Sequence, residues 1–279
     1  MNYGMRCHDL CPKTDMETVF QTVEDHGIHQ IQLAFGKSIS DYDFSYGHYS
    51  PGFARMIKEK LDRHGIHVAV LGCYINPVHP DEDKRTMEIN RFIEHMKYAR
   101  IIGADMVGTE TGRYDPDMKV VPYTFTEGCY QRFLDSMRRI VTAAEKLGVT
   151  VGVEAVHDHT LCSPEMMRRF LDEIDSPCVE AILDPVNLIG AKDCENQDAV
   201  VERALRLYGD RISAVHVKDF VMTEDGPKFA HVGDGLFHYE QVLRFLKTQK
   251  PYVAMLLENS SPERYHSDVE FLQKIYDRV

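Results

Sequence analysis

A chain of 279 residues with a net charge of −12 is a poor partner for nucleic acid, whose phosphate backbone selects a basic footprint. Its 43% hydrophobic and 27% charged residues are those of an ordinary globular chain with enough core for one large domain. No apolar run approaches the ~18 residues of a membrane span, and the N-terminal MNYGMRCHDL has neither the charged nor the apolar region of a signal peptide.

Short apolar strands alternate with longer amphipathic helices from end to end. The pattern predicts a strand at Met5–Cys7, a helix at Asp15–His26 stopped by Gly27, and a second strand at Gln30–Phe35. Ser50 and Pro51 offer a cap and a first-turn proline for a helix running to His64. Strand His67–Gly72, a helix from Pro80 to Ile102, strand Asp105–Thr109 and a helix over Phe125–Leu147 come next, with Gly103 and Gly148 as the helix stops. Val149–Glu154 is the fifth strand, and Ser163-Pro164 opens a helix to Ile174. Val179–Asp184, a helix around Asp198–Tyr208 and strand Ile212–His216 continue the alternation. Helix Tyr239–Thr248, strand Val253–Glu258 and helix Glu263–Tyr276 complete the chain.

A helix between each pair of strands forces parallel pairing. Eight such units without a long linker predict an α/β fold of the (β/α)8 TIM-barrel type, one domain over 1–279. An open doubly wound sheet is the alternative, but no GxGxxG follows the first strand. Seven scattered cysteines without a CxxC pair, and no export signal, suit free thiols in a reducing cytoplasm.

Four strands end in one design. TVGVE ends on Glu154, VEAILD on Asp184, ISAVH on His216 and VAMLLE on Glu258, at spacings of 30, 32 and 42 residues, about one strand–helix unit each. A carboxylate at the end of a buried strand is costly unless something holds it. Neighbouring strand ends on a barrel lie within side-chain reach, so Glu154, Asp184, His216 and Glu258 can share one ion. Three carboxylates and an imidazole suit a hard divalent cation, Mn²⁺, Mg²⁺ or Co²⁺, and tolerate Zn²⁺. Without a cation, three clustered carboxylates would repel one another. Glu154 and Glu258 can also act as an acid/base pair on either side of a bound substrate, with the metal polarising a carbonyl.

The stretches VGVEAV, AILDPVN, AVHVKD and LLEN, with HVGDG between the last two, resemble the xylose-isomerase-like barrel superfamily of sugar isomerases and epimerases. That superfamily includes ketose 3-epimerases, hydroxypyruvate isomerase, inosose dehydratase and endonuclease IV. The resemblance implies metal ligation by Glu154, Asp184, His216 and Glu258. It also implies the acid/base pair Glu154 and Glu258, a small sugar substrate, and a homo-oligomer as an open possibility. Asn187 stands where the epimerases carry a His, and the segment before HVGDG lacks the Asp-Arg-His of endonuclease IV. A three-zinc phosphodiesterase site is disfavoured on both counts.

Other candidates surround the four. His157 and His159 follow Glu154 in the loop, either as donors to a sugar hydroxyl or as solvated loop residues. Glu110, with Thr109, ends the fourth strand in a substrate or a structural capacity. Lys218 shares a strand face with His216 and can contact substrate oxygens or pair with Asp184. Asp219 can cap the segment after it, His8 and Asp9 can orient a substrate, and Tyr42, Phe44, Tyr46 and Tyr49 either stack on a sugar or form a loop mini-core. The expected activity is metal-dependent isomerisation or epimerisation of a sugar through an enediolate. The alternatives are dehydration of an inosose on the same site, a nuclease, and a barrel that binds a sugar without turning it over.

Overall fold

In a computed structural model that describes residues 1–224 and 226–279, eight parallel strands close into a barrel. In chain order the strands are β1 (Asn2–Arg6), β2 (Gln30–Leu33), β3 (His67–Gly72), β4 (Met106–Glu110) and β5 (Thr150–Glu154). Then come β6 (Val179–Leu183), β7 (Ile212–Val217), β8 (Asp219–Thr223), β9 (Gly226–Ala230) and β10 (Ala254–Leu257). The barrel order is β1-β10-β7-β6-β5-β4-β3-β2. β8 and β9 stand apart as an antiparallel ribbon. The ribbon occupies a stretch to which the hydrophobic pattern assigns no element: the apolar run Phe220–Met222 is only three residues long, and β9 is partly exposed and carries a proline.

Around the strands lie α1 (Met16–Asp25), α2 (Phe35–Ser38), α3 (Pro51–Arg63), α4 (Glu82–Ile102) and α5 (Glu127–Leu147). They continue with α6 (Pro164–Ile174), α7 (Pro185–Leu188), α8 (Gln197–Tyr208), α9 (Glu240–Gln249) and α10 (Pro262–Arg278). Their starts follow capping chemistry: the Asp15, Ser50, Thr126 and Ser163 side chains accept from backbone N–H groups of the first turns of α1, α3, α5 and α6. Gly103 and Gly148 end α4 and α5 with φ of 84° and 63°, a left-handed turn that costs glycine little. The expected helix start at Pro80 moves to Glu82, because Asp81 takes the capping position. Phe35, expected at the end of the second strand, instead begins the single turn α2.

Alternation along each strand decides what enters the barrel. Val70, Met106, Ile182, Ala214 and Leu256 form a buried cluster that fills the interior. Gly108 and Gly152, paired across β4 and β5, leave room for the larger members. A Cβ on Gly152 would come within 2.6 Å of the Met106 sulfur and 2.9 Å of Ile182 Cδ1. Gly152→Ala is therefore expected to destabilise the barrel by about 1–3 kcal/mol through overpacking. A thermal melt superimposable on that of the parent would show that the interior can yield. Two residues beyond this apolar layer, on the same faces, the chain places Glu110, Glu154, Asp184, His216 and Glu258. Among the described residues no helix is long and apolar enough to cross a membrane.

Candidate metal and sugar site

The polar layer sits at the C-terminal end of the strands, the face on which barrels of this kind build their sites. Glu154 is the last residue of β5, and His216 lies one residue before the end of β7. Asp184 follows β6 and caps α7, its Oδ1 accepting from the Asn187 backbone N–H at 2.9 Å. Glu258 follows β10, its backbone N–H donating to Val217 at 2.9 Å.

One ligand atom each from Glu154, Asp184 and His216 lies within 4.8 Å of the others, and all three residues are buried. His216 is fully inaccessible and neither of its ring nitrogens makes a hydrogen bond of acceptable geometry, although Nδ1 lies 3.1 Å from Glu154 Oε2. Asp184 Oδ2 likewise lacks an aligned hydrogen bond. Buried polar atoms are ordinarily satisfied. Both ring nitrogens of His216 are left open, and carboxylate oxygens of Glu154 and Asp184 converge on them from the neighbouring strands; this O and N donor set fits a divalent cation, so the cluster can hold a metal ion.

Glu258 stands beside the cluster with its Oε1 3.4 Å from His216 Nδ1, but its other oxygen faces cations. Arg6 Nη1 and Lys218 Nζ each lie 3.0 Å from Glu258 Oε2. Lys218 also lies 2.6 Å from Asp184 Oδ2, so of its two expected contacts the one with Asp184 is made. Burial works against charge on Lys218, yet Asp184 and Glu258 raise its pKa above the ordinary lysine range. For Glu258 the burial penalty is outweighed by Lys218, His216 and Arg6, which hold it far below the usual carboxylate range. Burial would also depress His216, but Glu258 and Glu154 push it up to about 9.

Asn187 donates from Nδ2 to Glu154 Oε1 at 2.6 Å and lines the cavity above. Glu110 lies in the same cavity wall, where burial, followed by the charges of Glu154 and Glu258, pushes it up to about 7. His157 is placed differently. Its ring Nδ1 lies 3.1 Å from the Asn187 carbonyl at the rim, outside the cavity wall. His159 instead turns inward, 3% exposed, with Nδ1 3.7 Å from Glu110 Oε2. Burial, then Arg113, lowers it to about 4, which leaves the ring neutral. Asp9 clamps Arg6 through 2.9 and 3.0 Å contacts, while His8 reaches the cavity. Asp219 serves structure: its carboxylate accepts from Phe220, Gly233, Gly235 and Phe237 backbone N–H groups and from the Tyr239 hydroxyl, so HVGDG folds around it. Phe44 stacks on Phe35 at 4.6 Å and contacts Tyr42 and Tyr49, so these three of the aromatic loop residues pack together, whereas Tyr46 is half exposed.

Sequence reasoning missed Arg6, Gln32 and Tyr74. Arg6 and Gln32 occupy inward positions on β1 and β2, and Gln32 donates to the Tyr74 hydroxyl. The same two-residue alternation that points to Glu154 would have found Arg6, two residues after the inward Gly4. The cavity over the cluster measures about 220 Å³, below the ~300–1,000 Å³ of drug-sized sites, and its walls are mostly polar. A small hydroxylated ligand suits it.

Comparison with known proteins bears on this site. Residues 20–275 match the model of the xylose isomerase-like TIM barrel family. A D-tagatose 3-epimerase-like protein of known structure superposes with a TM-score of 0.75 at 18% identity, over 100% of this chain and 98% of that one. Endonuclease IV from Thermus thermophilus superposes with a TM-score of 0.69 at 14% identity, over 100% of both chains. The IOLI protein, solved with a binding zinc atom, gives 0.67 at 16% identity, over 100% of this chain and 96% of that one. No curated protein gives a significant sequence match. Identities this low establish a shared fold and leave the reaction to the site itself. The family match spans nearly the whole chain, and the closed barrel agrees with it: the protein belongs to the xylose isomerase-like TIM barrel family.

Proposed function

We propose that the protein is a divalent-metal-dependent isomerase or epimerase of a small sugar or keto-sugar. The observation that carries this reading is the convergence of buried Glu154, Asp184 and His216 beneath a small polar cavity, with Glu258 at its edge. Glu154, Asp184, His216 and, once its cation contacts rearrange, Glu258 would hold Mn²⁺, Mg²⁺ or Co²⁺, with Zn²⁺ also compatible. A bound cation there supplies polarisation of the substrate carbonyl.

The chain's own residues supply the proton chemistry. One of Glu154 and Glu258 takes a proton from the carbon next to the carbonyl, giving an enediolate, and the other returns a proton to the opposite face or the adjacent carbon. The Asn187 amide fixes one oxygen of Glu154, and Arg6 and Lys218 fix one oxygen of Glu258; the second oxygen of each faces His216 Nδ1, at 3.1 and 3.4 Å, and is the one that would meet the cation or the proton. Asn187, Glu110 and Lys218 face the cavity and orient substrate hydroxyls, with His159 beside them.

Incubation of the Mn²⁺-loaded protein in D₂O with ketoses, aldoses and inososes tests this by NMR. Deuterium at the carbon next to a carbonyl is the expected result, and its position separates 1,2-isomerisation from 3-epimerisation. Failure to label any sugar, with metal bound, would favour a binding protein. A third carboxyl group, Glu110, in the wall beyond the ligand cluster favours one second reading, dehydration of an inosose. There Glu110 would give its proton to a leaving β-hydroxyl, released as water, and a new alkene or dione signal would report it.

Metal uptake by these residues has a predicted pH dependence. Since His216 holds a proton up to about pH 9 in the metal-free chain, a cation must displace it. Affinity is expected to rise about tenfold per pH unit between 6.5 and 8.5, with release of close to one proton. Calorimetry in buffers of different ionisation enthalpy measures both, and a flat profile would remove His216 from the ligand set.

A further inference from the structure

Beside the site cavity lies a second one of about 460 Å³, and the two share Lys37 and Tyr74 in their walls. It is bounded by the segment after β2 and by the segment that precedes α1. Thr14 bridges to Ile39 and its backbone N–H donates to the Ser38 carbonyl at 3.2 Å, and this pairing brings Lys13 and Lys37 to one cavity. Neither ammonium has a carboxylate partner among the described residues. Lys37 lies over the Tyr74 ring, 4.4 Å from its centroid, and its charge is also felt by Glu110 across the site cavity. Arg91 adds a third cation, donating to the Tyr74 carbonyl and to Glu88. The one carboxylate in the wall, Asp43, is occupied by His48 and by the Ser45 backbone N–H and hydroxyl.

Charge separates this cavity from its neighbours. In the site cavity, Arg6 and Lys218 are neutralised by Asp9, Asp184 and Glu258, and Arg113 by Asp158. A third cavity, on the other side of Tyr74, sets Lys84 and Arg91 against Glu88 and Glu110. The wall of the Lys13–Lys37 cavity sets three cations, Lys13, Lys37 and Arg91, against one carboxylate, Asp43, in a chain of net charge −12. Unpaired ammoniums at the wall of a concave site are donors waiting for an anion.

We propose that this cavity is a subsite for an anionic group, a phosphate or a carboxylate, at the far end of the sugar. The inference rests on the isomerase reading for the sugar portion only, and it narrows the substrate class to acidic or phosphorylated sugars. Tyr74 separates the reacting end from the anion, and Lys37 spans both compartments.

The test measures binding of fructose, fructose 6-phosphate, fructuronate and inorganic phosphate to the full chain, with and without Mn²⁺, for the parent and for a K13A/K37A variant. Both lysines are exposed, so the variant is expected to melt like the parent. The parent should favour one anionic sugar over fructose by on the order of tenfold or more, and the variant should bring that ratio near one. Preference for fructose 6-phosphate or for fructuronate identifies which anion the subsite takes. A ratio near one in the parent, or a preference that survives in the variant, overturns the subsite. If fructose gains deuterium while the ratio is near one, the isomerase reading stands and the subsite falls. If no sugar binds but inorganic phosphate binds the parent and not the variant, the subsite stands and the sugar reading falls. Absence of binding by every anion overturns it.

Discussion

Replacing Glu258 with Gln is expected to lower turnover by about 10²–10⁴-fold, the usual contribution of a positioned acid or base. Gln keeps the size of the side chain and an amide oxygen that can still accept from Arg6 and Lys218, both 3.0 Å from Oε2 in the parent. What it loses is the capacity to take and return a proton. Sugar binding is therefore expected to change far less than the rate, while the thermal melt falls because Arg6, Lys218 and His216 lose a buried counter-charge. Deuterium incorporation, sugar affinity and metal content measured on one preparation separate the possibilities. A rate within a few-fold of the parent would move the acid/base work away from Glu258. Loss of the metal along with the rate would make Glu258 a ligand first, and sugar binding without metal would then report the two contributions separately.

Lys218→Met should act on stability rather than chemistry alone. Lys218 is 3% exposed and joins Asp184 and Glu258, so its removal leaves two buried carboxylates facing each other without their shared cation. Breaking a buried pair in this way costs about 3–5 kcal/mol. For a chain of this size that is a fall in Tm on the order of 10 °C in the metal-free state. A divalent cation would supply the missing positive charge, so Mn²⁺ is expected to raise the Tm of the variant more than that of the parent. Scanning calorimetry with and without Mn²⁺ decides it. An unchanged metal-free Tm would mean that Arg6 and His216 already compensate the carboxylates. Equal metal shifts in parent and variant would mean that the cation and the ammonium do not compete for Asp184.

Much of this architecture can be read locally. Strands and helices follow from hydrophobic period, and caps such as Ser50-Pro51 and Ser163-Pro164 fix helix starts to the residue. Glu154, Asp184 and His216 are legible because each breaks an apolar strand at its end, where a charge is too costly to be accidental. Their convergence is observed in the barrel.

Closure decides the rest. It places β1 against β10, which sets Arg6 on Glu258 and lets the Asn259 backbone N–H donate to Asp9 across 250 residues of sequence. No local period carries that information, because the partner of a strand edge is settled only when the ring closes. The β8–β9 ribbon, the inward turn of His159 rather than His157, and the shared wall of Lys37 and Tyr74 are likewise products of packing. Sequence by itself determined which residues had to end buried strands. The tertiary structure alone determined which charges meet there, since Coulomb interactions depend on distance through space and not along the chain.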